Sequence, residues 1–73
     1  MAKNCIEKEE QIAIEDFEEK YAPIDEYDDR YDLLEDIKDY LVEYKDYSHD
    51  TIGDNTDYEI KGNFIIVDVE IYR

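Results

Sequence analysis

Near the C-terminus, polar and apolar residues alternate. Tyr58-Glu59-Ile60-Lys61 and Phe64-Ile65-Ile66-Val67-Asp68-Val69-Glu70-Ile71-Tyr72 flank Gly62-Asn63, which predicts two strands joined by a two-residue turn. With Lys61 opposite Phe64, Ile60 faces Ile65 and Tyr58 faces Val67. That register gathers Tyr58, Ile60, Ile65, Val67, Val69 and Ile71 on one face. Glu59, Lys61, Asp68 and Glu70 take the other, together with Phe64, Ile66 and Tyr72. A slip of one residue destroys the segregation, so turn and pattern agree.

Upstream the period changes to that of a helix. From Asp25, a good N-cap, an amphipathic pattern runs to about Tyr47 without Gly or Pro. Tyr27, Tyr31, Leu34, Ile37, Leu41 and Tyr44 form its predicted inward stripe, with Leu33 beside it. A first helix is expected over about Cys5 to Tyr21, from Ile6, Ala13, Phe17 and Tyr21 on one face and Ile14 at its edge. Asn4 and Glu7 resemble a capping box at its start. Glu10 sits on the apolar side of that helix and Ile12 off it, so a shorter helix from near Glu9 fits equally well. Ala22 before Pro23 forces a break, and residues 48–55 are rich in turn formers.

The order predicts an α+β fold of α-α-β-β type, with two helices packed on a small antiparallel sheet. Two strands alone are marginal. Either a third strand forms near Thr51-Ile52, or the hairpin edge pairs with a second copy to make a homodimer. Phe64, Ile66 and Tyr72 then become interface residues.

Length and charge narrow the function. The 73 residues make one domain, spanning 1–73. There are 23 Asp and Glu against 8 Lys and Arg, a formal net charge of −15. Direct nucleic-acid binding needs Lys and Arg to neutralise phosphate, so it is excluded; attraction to anionic membranes fails for the same reason. The chain is not an acidic disordered tail, because 42% of it is hydrophobic and 14% aromatic. Cys5 is the only cysteine, which forbids an internal disulfide and fits a free thiol in a reducing compartment. The N-terminus lacks an apolar run, so the expected location is the cytoplasm, of its own cell or of a host.

Catalytic and metal signatures are mostly absent. His49 and Ser48 are the only residues of their types, too few for a triad or a zinc site. Ser48 lacks the Asp-Ser-Leu context of an acyl carrier protein. Neither Asp25-Glu26-Tyr27-Asp28-Asp29 nor Asp50-Thr51-Ile52-Gly53-Asp54 meets the EF-hand pattern. No cofactor is implied, and an enzyme is not expected.

What stands out is the placement of charge. Asp25, Asp29, Asp32, Asp36, Asp39, Glu43 and Asp46 recur at spacings of 4, 3, 4, 3, 4 and 3. On one continuous helix they occupy a sector of about 100°, opposite the Leu34/Leu41 stripe, and Asp28 and Glu35 widen the band. Ten carboxylates fall within residues 25–46, about one per ~3.3 Å of helix, against one phosphate per ~3.4 Å of a single DNA strand. A solvated helix face normally mixes signs, yet this seam holds no Lys or Arg; Arg30, Lys38 and Lys45 lie toward the apolar flank. Asp46 opposes the helix dipole, and six of the seven are Asp, a poorer helix former than Glu. Residues 1–46 carry −11 of the net charge and residues 47–73 carry −4.

The expected function is that of a nucleic-acid mimic, whose seam occupies the basic groove of a DNA- or RNA-binding protein. In composition the chain resembles the small acidic inhibitors of phages and mobile elements, among them anti-restriction, anti-CRISPR and uracil-glycosylase inhibitor proteins. Tyr40 and Tyr47 sit at the border of acidic and apolar faces, as ordinary flank residues or, alternatively, interface anchors. The alternative is an acidic immunity- or antitoxin-type inhibitor of a basic enzyme or toxin that does not imitate phosphate; a third reading is an adaptor shielding basic proteins.

Self-repulsion on this scale has a measurable consequence. The melting temperature should rise as the Debye length falls from ~30 Å at 0.01 M salt to ~8 Å at 0.15 M. A melting temperature that does not change across a salt titration rules out unrelieved repulsion.

Overall fold

The computed structural model describes residues 5–72 and shows an α+β fold. Strand β1 (Cys5–Ala13) leads into helix α1 (Ile14–Lys20), and a 3-10 turn (Ile24–Glu26) precedes helix α2 (Arg30–Tyr44). The hairpin of β2 (Asp57–Lys61) and β3 (Phe64–Tyr72) follows. The sheet is antiparallel in the order β1-β3-β2, so β3 lies between the other two strands. Both helices pack on one face of it, and the other face is open.

The hairpin has the expected register, with Lys61 opposite Phe64, Ile60 opposite Ile65 and Tyr58 opposite Val67. Gly62 adopts φ 60°, the left-handed conformation such a turn demands. Ile65, Val67 and Val69 are completely buried beneath the helices.

The N-terminal segment departs from expectation. Residues 5–13 form a strand rather than the first half of a helix; only Ile14–Lys20 is helical. Asn4 lies outside the described residues. β1 pairs with β3 along its full length, from Cys5 opposite Tyr72 to Ala13 opposite Phe64. The cause is tertiary. β2 spans five residues against nine in β3, and the other edge of β3 has no partner until β1 arrives. Pairing that edge satisfies its backbone groups and outweighs the helical propensity of Glu-Lys-Glu-Glu-Gln. The strand also rescues Ile12, which the helical reading left outside the apolar face and which is 1% exposed.

The third strand therefore comes from the N-terminus. Ile52 contributes a single bridge to Ile71, short of the strand expected near Thr51-Ile52. Residues 48–56 are nonetheless tightly bonded to β3. Gly53 N donates to Glu70 O at 2.7 Å and Tyr72 N to Thr51 O at 2.7 Å. Buried Thr56 accepts from Glu70 N through its hydroxyl at 2.9 Å. A side chain on Gly53 would collide with the Glu70 carboxyl, which receives Asn55 N at 3.2 Å.

α2 is shorter than predicted and rotated. Its N-cap is Asp29, whose carboxylate accepts from Tyr31 N at 2.9 Å; Asp25 belongs to the 3-10 turn. The helix stops at Tyr44, and Asp46 beyond it has a φ of 63°. Leu33, Ile37, Tyr40 and Leu41 face the core, whereas Tyr31 and Tyr44 are exposed. An aromatic cluster selects this rotation. Phe17 stacks on Tyr21 at 5.1 Å, and Tyr40 lies 6.1 Å from Phe17, 6.3 Å from Tyr21 and 4.9 Å from Tyr44.

Two substitutions in β1 separate strand from helix. Ile12→Ala should cost about 2–5 kcal/mol by urea denaturation, as expected for a buried Ile in a packed core. Ile6→Ala, at a position 41% exposed, should cost far less. Equal small costs at both positions would argue for a peripheral segment.

Candidate binding surface

The acidic seam survives in part. Asp32, Asp36, Asp39 and Glu43 lie on α2 within a sector of ~60° and share one flank, with Glu35 beside them. Asp29 caps the helix, and Asp28 precedes it in an exposed turn. Asp25 and Asp46 leave the helix, so the single 22-residue ladder does not exist. The continuous part is ~22 Å long. Because α2 is rotated, the seam sits beside the buried face rather than opposite it.

That position brings the acids against tyrosines. Tyr27 donates its hydroxyl to half-buried Asp36 at 2.5 Å. Tyr21 is pushed up to about 12 by burial and then by the charges of Asp39 and Glu43. Tyr27 is likewise pushed up to about 12, by burial and by its bond to Asp36. Burial, followed by the charge of Asp16, also raises Tyr40. Neutralisation of the seam is sparse. Asp39 faces His49 Nε2 at 3.2 Å, and Glu35 faces Lys38 at 4.0 Å. Among the described residues, no Lys, Arg or His lies within 4.0 Å of Asp32, Asp36 or Glu43.

The two border tyrosines have structural roles. Tyr40 is 7% exposed and belongs to the core. Tyr47 reaches β1, donating to Glu10 Oε2 at 2.5 Å; burial and this bond raise its phenol strongly. The exposed ring beside the seam is Tyr31 instead, 66% accessible.

A second acidic surface was hidden by the helical reading of residues 5–13. On the open face, Glu9, Asp68 and Asp57 line up across the three strands, and Glu7 faces Glu70 in the next row. Directly opposed like charges destabilise a sheet. Relief is local: Arg30 binds the Asp57 carboxylate, and Glu70 turns to the Asn55 side chain at 3.2 Å. Asp57 is held below the usual carboxylate range, first by the backbone N–H of Tyr58 and then by Arg30. Phe64 and Ile66 continue this face as an apolar strip. The alternation of Glu7 and Glu9 with Ile6 and Ile12 is the signal that marks β1, but Lys8 and Glu10 at the inward positions conceal it.

Beside Phe64, a groove of about 530 Å3 is lined by Ala13, Ile14, Glu15, Glu18 and Asn63. Glu18 is committed structurally, accepting from Ile24 N at 2.9 Å. Among the described residues there is no group of three or more His, Cys, Asp or Glu placed to hold a metal ion, and no helix is long and apolar enough to cross a membrane.

No known protein family, curated protein or solved structure matches the chain.

The raised phenols predict an alkaline transition. Tyr21 and Tyr27 bind their protons more tightly folded than unfolded, where the ordinary value is 10. Their contribution is complete below about pH 10 and is lost as pH rises toward about 12. The urea midpoint should hold up to pH 10 and then fall, in step with tyrosinate absorbance. A midpoint unchanged to pH 12 would contradict the placement of these rings.

Proposed function

We propose that the protein is a nucleic-acid-mimicking inhibitor that blocks the basic DNA- or RNA-binding groove of a target protein, in the manner of the anti-restriction and anti-CRISPR proteins of phages and mobile elements. The observation carrying this reading is the distribution of carboxylates over a rod of 41 × 20 × 20 Å. The α2 flank presents the seam, and the open sheet face presents further acidic rows. The formal charge of −15 over 41 Å is about one net charge per ~2.7 Å. That lies between a single strand, at ~3.4 Å per phosphate, and a duplex, at ~1.7 Å. Successive acids of the seam are ~5–6 Å apart. A basic groove that accepts a phosphate chain meets comparable charge here, and long-range attraction makes association fast and salt-sensitive. The partner is a basic protein; the acidic surface itself repels nucleic acid.

A second reading is an immunity- or antitoxin-type inhibitor that uses an acidic and aromatic surface without phosphate mimicry. Exposed Tyr31 beside the seam, and Phe64 and Tyr72 on the open face, favour it.

Competition separates the two. Proteins captured from a host lysate on the immobilised chain should be basic nucleic-acid-binding proteins, displaced by excess duplex DNA or by RNA. Asp32, Asp36 and Asp39 replaced together by Asn should weaken capture at least ~100-fold while leaving the fold intact. The amide oxygen that Asp36→Asn supplies can still accept the Tyr27 hydroxyl. Capture that withstands excess nucleic acid supports the immunity-type reading, and capture unaffected by the triple substitution removes the seam from the interface.

A further inference from the structure

The two edges of the sheet are treated differently. On β2, Tyr58 N donates to the Asp57 carboxylate at 2.8 Å and Tyr58 O accepts from Arg30 Nη2 at 2.9 Å. The Arg30 guanidinium also lies over the Tyr58 ring at 4.3 Å. That edge is engaged at Tyr58, leaving only Ile60 outward without a partner among the described residues. On β1 the even-numbered residues face β3, a ladder that Ile14 N continues to Asn63 O at 2.9 Å. The N–H and C=O groups of Glu7, Glu9 and Gln11 therefore point away from the sheet. Among the described residues, nothing in the chain bonds to them.

Such an edge is a template for another strand, and β1 fits itself in one way. In an antiparallel pair of copies the outward-facing odd residues must oppose one another, so registers change in steps of two. Centring on Glu9 sets Lys8 of each copy opposite Glu10 of the other, and Ile6 opposite Ile12, on the helix-covered face. Gln11 then meets Glu7 on the open face, and Glu9 meets Glu9. Centring on Lys8 opposes Lys to Lys and Ile6 to Glu10. Centring on Glu10 opposes Glu to Glu and Lys8 to Ile12. Centring on Glu7 pairs Ile6 with Lys8, and centring on Gln11 pairs Glu10 with Ile12. The Glu9-centred register alone joins opposite charges and keeps isoleucines together.

Lys8 points to the same arrangement. In a chain with 23 carboxylates, no carboxylate among the described residues lies within 4.0 Å of its ammonium group. Glu10 offers a second acceptor, since Tyr47 occupies only Oε2.

We propose that the β1 edge is the interface of a homodimer, in which two copies pair antiparallel about Glu9 to form one six-stranded sheet. The opposed Glu9 residues and the net charge of −15 on each copy resist association, so dimerisation strengthens as salt shortens the Debye length.

Sedimentation velocity of the whole chain over a range of concentrations, at ~0.15 M salt and at ~0.01 M, tests this. The unmodified protein should dimerise, more tightly at the higher salt. Lys8→Glu and Glu10→Lys should each raise the dissociation constant roughly tenfold or more, as two cross-strand pairs turn from attraction to repulsion. The double reversal should restore it. Glu10→Lys makes the chain less negative, so tighter dimerisation of that variant would show that net charge alone governs association and would overturn the proposal. Glu9→Pro removes an outward N–H, which an edge strand tolerates, and should give a monomer with unchanged circular dichroism. Should Glu10→Lys unfold for loss of the Tyr47 bond, Lys8→Glu and Glu9→Pro still decide the matter, since neither removes a bond within the chain. A protein monomeric at every concentration and both salts, or a dimer that survives Glu9→Pro, overturns the proposal.

Discussion

The structure depends on one strand having two neighbours. β3 carries Ile65, Val67 and Val69, three of the completely buried side chains, and every other element either pairs with it or covers it. β2 alone satisfies only its first five residues. The remainder of its inner edge is met by Ile52 and the loop before β2, and its outer edge by β1. Each of these attachments satisfies backbone groups that burial would otherwise leave without partners. The helices then close the apolar face, with Phe17 and Ile37 fully enclosed.

The second constraint is charge. A domain in which 42% of residues are charged, 23 of them acidic against 8 basic, has to place its acids where they do not meet the core. Two solutions coexist. Many carboxylates are turned outward, among them those of the α2 flank and the open sheet face, where water and salt screen them. A few are drawn inward and bonded to phenols, as Asp36 is to Tyr27 and Glu10 is to Tyr47. Tyrosine suits that role because it contributes apolar area and a hydroxyl donor together.

The parts of the fold legible in the sequence were those set by near neighbours. Gly62-Asn63 and the alternation on either side sufficed for the hairpin and its register, because a two-residue turn leaves no freedom. β1 was illegible because its inward positions are Ile6, Lys8, Glu10 and Ile12; half of them are charged, and the force that extends the segment is an edge more than 50 residues away. α2 is legible as a helix, but both of its ends lie inside the expected span. Asp25 and Asp29 are equally good caps by type, and only the turn after Pro23 excludes the earlier one. Asp46 entered the left-handed region without a glycine, which Asp tolerates better than most residues. The acidic flank was foreseen because composition and period decide it. The acidic sheet face was not, because it exists only once β1 is beside β3.

The pairing of β1 with β3 also has a kinetic meaning. It joins the two ends of the described chain: Ala13 meets Phe64 and Cys5 meets Tyr72, across separations of 51 and 67 residues. The hairpin and α2 are built from contacts close in sequence and form quickly; this pairing requires closing nearly the whole chain, with the entropic cost that carries. The order of assembly follows from that asymmetry. On that ground hairpin and helices are expected to come together first, with the N-terminal strand zipping onto an edge already in place. Between those events β3 presents a bare row of amides to its surroundings, so the acidic surface also serves the folding chain, holding separate molecules apart until the strand from the same molecule arrives.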